Sequence, residues 1–486
     1  MTYDIAILGG GFSGAILAAN LIRKASQKLK IALIEKAPIP ARGIAYGTLD
    51  ASHLLNVQAV NMGAFPDQPS HFYDWLEEHQ SSWRHLDLAF ADLKLSPTEY
   101  LPRHLYGFYL SNTLKEALEL ALEKDMEIEL IHGEALDLER TLCNTLSILL
   151  ASGEKIETHR VVLTSGVPPS KNFGKKFPGY THNVWNGRKE NPLHATSLAN
   201  LGNEYRIGII GTGLTFLDVL STLKQKGYRG KVIALSKNGE LPEIHAPHSE
   251  TTFEAELPLS ALGILKAFRK EIDRNADLGV DWRGVIDAFR PLANSTWEKL
   301  PLSEKKKVMK WLWSLWNRHR HRMPAAIGAI ALEYMEENRL TLMAGSVKGV
   351  EPKANQIALK YQPKGSTDIE TISFDHVFNC SGPEMNVEAN SSSLIQNLLN
   401  RGFLEPHPLK VGINVTSFGE IKGAISERFF SIGQLLFGEL FETTAVPELR
   451  VQCSNMADLL LARHSSAFLF KESIGEYSPT SVRDHQ

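Results

Sequence analysis

Three cysteines in 486 residues, Cys143, Cys380 and Cys453, lie far apart, so neither a disulfide framework nor a cysteine-rich metal site is expected, and the missing C-x-x-C argues against a dithiol reductase. No apolar run approaches the 18 residues that a membrane-spanning helix needs. Strong charge of either sign is also absent: a formal net charge of -3 gives no general electrostatic reason to bind nucleic acid or acidic lipid. A strand pattern starts at Tyr3 and leaves no space for a signal peptide, so the expected location is the cytoplasm. What remains is a soluble chain, 43% hydrophobic and too long for one ordinary core.

Tyr3 to Lys36 reads as strand, glycine turn, helix and strand. Gly9, Gly11 and Gly14 have G-x-G-x-x-G spacing. Gly9 suits the tight turn, Gly11 lets backbone approach a pyrophosphate, and Gly14 lets the helix pack on the strand. Phe12 and Ser13 complete the turn. The second strand ends in Glu35, 21 residues after Gly14, where a carboxylate would hold a ribose hydroxyl, with Lys36 beside it. The implied ligand is an adenine dinucleotide, FAD or NAD.

The plan recurs. Arg206 to Asp218 is a second strand and glycine turn, with Gly211, Gly213, Leu214 and Thr215 at the seat and Phe216 in place of the third small residue. Its next strand ends in Ser236 and Lys237 without an acid, and a hydroxyl with a cation favours the 2'-phosphate of NADPH. The later halves also match. Gly133 to Gly166 spans 33 residues and Gly345 to Gly382 spans 37, each running from strand through hairpin to a buried strand ending in Ser-Gly. Gly166 and Gly382 are therefore further cofactor contacts. A long helix is expected over Leu110 to Lys124, a tryptophan-rich helical insertion over about 257–338, and a closing helix over Met456 to Phe470.

Two resemblances extend this reading. Phe177, Gly179, His182 and Trp185, between Thr164-Ser165-Gly166 and Gly211, resemble the F-x-G-x-x-x-H motif of class B flavin monooxygenases, with one residue fewer on each side of the histidine. More broadly, GGGFSG, GIAYGT (Gly43 to Thr48), His53 to Leu76, Tyr100 to Leu110, Gly211 to Asp218, Trp316 to Pro324, Phe378 to Glu384 and Gly433 to Arg450 resemble the bacterial FAD-NAD(P)-binding flavoproteins over nearly the whole chain. That likeness implies an α/β fold with two Rossmann-like dinucleotide-binding domains and a helical insertion. The expected domains are FAD-binding over 1–200, NADP(H)-binding over 201–345, and a return to the FAD domain over 346–486. It also implies that His53, Asn56 and Val57 approach the flavin, and that Gly433, Glu442, Thr443, Thr444 and Ala445 close its pocket.

Arg318 to Arg322 alternates arginine and histidine after Trp311, Trp313 and Trp316, and is read as an anion-facing helix end in the interdomain cleft. His182, Arg320 and Asn56 are the candidate catalytic residues. The expected activity is that of an NADPH-using monooxygenase that oxygenates a small molecule with molecular oxygen through a C4a-(hydro)peroxyflavin. Its rivals are a flavin dehydrogenase or reductase that incorporates no oxygen, and a non-catalytic FAD-binding redox sensor.

Overall fold

Two sheets with the same parallel core carry the chain. The computed structural model describes residues 2–185, 202, 204–389 and 392–475, with 466–475 as helix backbone alone. Strands β1 (Thr2–Leu8), β2 (Lys30–Glu35), β3 (Glu127–His132), β4 (Ala135–Arg140), β5 (Leu146–Leu150) and β6 (Lys155–Leu163) form the first sheet in the order β3-β2-β1-β6-β5-β4. Strands β7 (Tyr180–Thr181), β8 (Arg206–Ile210), β9 (Lys231–Ser236), β10 (Leu340–Lys353), β11 (Gln356–Pro363), β12 (Glu370–Phe374) and β13 (His376–Asn379) form the second, ordered β12-β11-β10-β9-β8-β13-β7. The parallel quartet β3-β2-β1-β6 thus recurs as β10-β9-β8-β13. β14 (Phe429–Ser431) returns to the first sheet beside β6, with Phe430 opposite Val162.

The core strands are continuous apolar runs because both of their faces are covered, one by helices and the other mainly by the hairpin strands, joined in the first sheet by the C-terminal segment. Helix α1 (Phe12–Lys24) buries ten residues against α2 (Arg103–Glu123) and α8 (Val446–Gly475). α2 begins directly after Pro102, well before the expected Leu110, since proline suits a helix start and the aromatic run Tyr106 to Tyr109 is buried against α1 and its neighbours.

The expected domain borders need correction. The border at 200 falls outside the described residues, yet β7 already belongs to the second sheet; the border at 345 cuts β10, whose hairpin and β13 keep the chain in the second sheet until Asn379. The two hairpins also attach differently. β4-β5 extends the first sheet from β6, whereas β11-β12 extends the second from β10.

Within the insertion, α4 (Ala261–Asp277), α5 (Trp282–Phe289) and α6 (Trp313–Arg320) enclose a core of Ile264, Phe289, Trp297 and Trp316 that closes on Phe441 of the C-terminal segment. The last expected helix of the insertion, α7 (Ala325–Glu336), instead packs Ile327, Ala331 and Tyr334 into the second domain's core against α3 (Leu214–Gln225).

Candidate functional site

At the first turn, Gly9 takes φ +110°, and a Cβ there would stand 2.4 Å from the Thr164 carbonyl oxygen. A Cβ on Gly14 would stand 1.9 Å from the Gly9 carbonyl oxygen, so the close approach of helix and strand depends on that glycine. Gly11 is the N-cap of α1. No side chain caps it and no acid occupies the first turn, which leaves the leading amides open to an anion. Glu35 accepts from the Gly10 amide at 2.6 Å and the Ala37 amide at 2.7 Å, fixing its carboxylate over the turn. Lys36 does not join it. Its ammonium pairs with Glu134 at 2.9 Å on the surface. Phe12 is buried and edges onto Tyr46, a packing role.

The C-terminal arm completes this seat. A Cβ on Gly433 would lie 3.9 Å from Ser13 Oγ, and Thr443 Oγ1 donates to the Gly433 carbonyl at 3.0 Å. Gln452, unforeseen in the sequence, accepts from the Gly433 amide at 3.0 Å and donates to Thr443 at 2.9 Å. Thr444 is exposed, and the Ala445 carbonyl accepts the Leu449 amide as α8 begins. Glu442 faces away from the arm. Trp316 Nε1 donates to one of its oxygens at 2.9 Å and Arg320 Nη2 to the other at 3.2 Å, while the Asn294 side chain takes its backbone, accepting from the amide at 2.8 Å and donating to the carbonyl at 2.9 Å. Burial raises the Glu442 pKa, against the pull of Arg320.

The His53 ring is likewise engaged by protein. It is 1% exposed, with Nδ1 2.9 Å from Thr48 Oγ1 and Nε2 2.9 Å from Thr222 Oγ1 of α3. The Thr222 hydroxyl gives its only proton to Asp50 at 2.6 Å, so His53 donates from Nε2. With the Arg103–Asp218 ion pair at 2.9 Å, this network binds the second domain to the first and engages both nitrogens of the His53 ring. Val57 packs on the first core, while the Asn56 carbonyl lies 3.1 Å from His245 Nε2.

The second turn repeats the first. Gly211 takes φ +100°, a Cβ on it would stand 2.2 Å from the Cys380 carbonyl oxygen, and Gly213 caps α3 without a side-chain partner. Leu214 and Thr215 are half-buried in its first turn, and Phe216 turns wholly into the domain core. Space is also open at Gly213, Gly166 and Gly382, where a Cβ would meet nothing within 4 Å. Ser236 Oγ accepts from the Gly239 amide at 3.0 Å and lies 2.9 Å from Thr212 Oγ1, whose only proton goes to the Glu240 carbonyl, so Ser236 donates to Thr212. Lys237 is exposed beside it. Lys364 Nζ reaches Asn238 at 3.1 Å from the distant β11-β12 hairpin and brings a second cation to the loop.

His182 and Arg320 are not brought together. His182 follows β7, its Nδ1 is buried with no partner among the described residues and burial lowers its pKa, while Asn186 at the end of its motif lies outside the described residues. Arg320 ends α6 among Glu442, Glu448 and Arg290. Next to it, burial together with Arg320 and Arg290 pushes His321 down to about 3; burial, Arg322 and Arg320 push His245 down to about 4. Both imidazoles are therefore neutral at pH 7.

Two parallel sheets of one order, each ending in an uncapped glycine turn, define the FAD/NAD(P)-binding oxidoreductase fold with two Rossmann-like domains. Residues 6–168 match the FAD-NAD(P)-binding family, the resemblance drawn from the motifs. An uncharacterised protein of Mycobacterium tuberculosis is 23% identical over 526 aligned positions, covering 95% of this chain and 96% of its own. Among solved structures, the ornithine N-hydroxylase of Kutzneria sp. 744 has a TM-score of 0.63 at 12% identity, covering 96% of this chain and 100% of that one. The ornithine hydroxylase of Pseudomonas aeruginosa has 0.61 at 14% over 96% and 100%. The bacillithiol disulfide reductase of Staphylococcus aureus has 0.54 at 12% over 95% and 99%. Such distant likenesses establish the fold and leave the reaction open.

Proposed function

We propose that this protein is an NADPH-dependent flavin monooxygenase acting on a small molecule in the cytoplasm. The observation that carries the reading is the buried guanidinium of Arg320, 5% exposed and bonded to Glu442 beside the arm that closes the first dinucleotide seat. A fixed cation in a site closed to water favours negative charge developing on reduced oxygen.

The first seat fits FAD: its helix start is uncapped, Glu35 is fixed over the turn, and Gly433 and Thr443 close over Ser13. Held there, FAD would supply the redox chemistry: the hydride of NADPH provides the two electrons that reduce molecular oxygen, one oxygen atom going to the substrate and the other leaving as water. Gly211 to Thr215 would seat the NADPH pyrophosphate on α3, and Ser236 with Lys237 would read its 2'-phosphate. Asn56 would border the reacting end from the first domain, and the bonds that join Asp50 and His53 to Thr222 hold the two domains in register.

A thiol-disulfide reaction is disfavoured, because Cys380 and Cys453 are buried and burial pushes both thiols up. The test is stopped flow. The protein is reduced with NADPH without oxygen, mixed with aerated buffer, and followed for a transient absorbing species before oxidised flavin returns. One-step reoxidation, even with NADP+ and candidate amine, thiol and ketone substrates present, would replace this reading with the dehydrogenase one.

A further inference from the structure

Four guanidiniums and three carboxylates are gathered where the insertion meets the C-terminal arm. Arg290 bonds Glu448 at 2.5 and 2.7 Å, Arg320 bonds Glu442 at 3.2 Å, and Arg322 Nη2 bonds both oxygens of Asp287 at 2.6 and 2.7 Å. Arg450, the fourth, rests on the Asn61 and Gly63 carbonyls at 3.2 and 3.1 Å. The cluster therefore holds one positive charge more than its carboxylates balance. Its donors are also incompletely used: among the described residues, no partner reaches Arg322 Nε or Nη1, Arg320 Nε or Arg450 Nε, although all four atoms are shielded from solvent. Arg322 and Arg320 are only 4% and 5% exposed.

Bare guanidinium donors at such depth are costly unless an anion meets them. The neighbours indicate which anion. Both arginines act on His245, whose ring packs 4.8 Å from Tyr100 and bonds the Asn56 carbonyl, so the cluster adjoins the Asn56 segment of the first domain. A surplus of one charge suits a singly charged group, and a planar carboxylate matches guanidinium donors.

We propose that the Arg320–Arg322 cluster is a carboxylate receptor and that the substrate is a small organic acid anchored there by its carboxylate. Its placement next to a flavin rests on the monooxygenase reading; the anion site itself does not.

The test compares matched probes, benzoate against benzamide and hexanoate against hexanamide, at constant ionic strength. Binding to the full chain is read by calorimetry and by perturbation of the flavin spectrum. The acids are expected to bind at least about tenfold more tightly than the amides, and Arg322→Gln to weaken the acids about ten- to a hundredfold while leaving the amides unmoved. Arg322→Lys keeps a charge opposite Asp287 but loses the bare donors, and should weaken the acids even if Arg322→Gln fails to fold. Equal binding of acid and amide by wild type overturns the proposal. So does acid binding indifferent to both variants, including a result in which Arg322→Gln shifts only the flavin potential, which would assign the cluster to the reduced flavin. A colourless protein would refute the flavin reading, yet calorimetry on it would still decide the carboxylate site.

Discussion

Replacing Gly11 with valine tests the first seat most directly, because the structure separates its effect on binding from its effect on folding. Gly11 has φ -70° and ψ -159°, a conformation any residue adopts, and the nearest atom to an added Cβ is the Gly43 Cα at 3.3 Å. A shift of a few tenths of an ångström relieves that contact. The valine methyls would nonetheless stand over the uncapped amides of α1 and hold a pyrophosphate away. Losing two amide bonds to a charged phosphate, at about 1.5–3 kcal/mol each, weakens FAD by about a hundredfold or more. Gly11→Val should therefore purify colourless, with the melting temperature of FAD-stripped wild type. Stripped protein is the right reference because bound FAD itself raises stability. Gly14→Ala provides the contrast: its Cβ would collide with the Gly9 carbonyl at 1.9 Å, so it should lower the melting temperature of the stripped protein too. Full yellow FAD retained by Gly11→Val would refute the reasoning.

Lys237→Ala should raise the NADPH concentration needed for half-maximal flavin reduction about tenfold and leave NADH unchanged; equal effects on both would show that Lys237 does not read the phosphate. Lys364→Ala should reproduce a smaller share of that selectivity, measured in the same assay. Burial alone would raise the Asp50 pKa, but His53, Ser52 and Thr222 outweigh it and hold it below the ordinary 3.8. The stability it contributes is thus complete above that value and lost as pH falls through the folded pKa, so urea midpoints of wild type and Asp50→Asn should differ at pH 7 and converge below about pH 3.8. In the native protein a thiol reagent should label Cys143 and spare buried Cys380 and Cys453, as read by mass spectrometry of the digested chain.

The strand, glycine turn and helix units were legible in the sequence because their causes are local. Apolar runs and the spacing of Gly9, Gly11 and Gly14 act within one turn of chain, and the structure realises them twice in the same strand order. The return of the C-terminal arm was legible too, through the family likeness of Gly433 to Arg450. Side-chain assignments were less so. His53 follows a motif expected at the flavin, but its ring bonds Thr222; Lys36 follows Glu35 in sequence, but turns out to Glu134. Glu442 is taken by Trp316 and Arg320, and Gln452 and Lys364 enter their sites from segments that no local pattern connects to them. The sequence by itself determined the two dinucleotide units and the alternating arginines of the insertion. Which carboxylate each arginine meets, and which guanidinium donors stay bare, was decided only when the insertion packed on the C-terminal arm: burial and charge balance are properties of surfaces brought together, and no stretch of chain carries them alone.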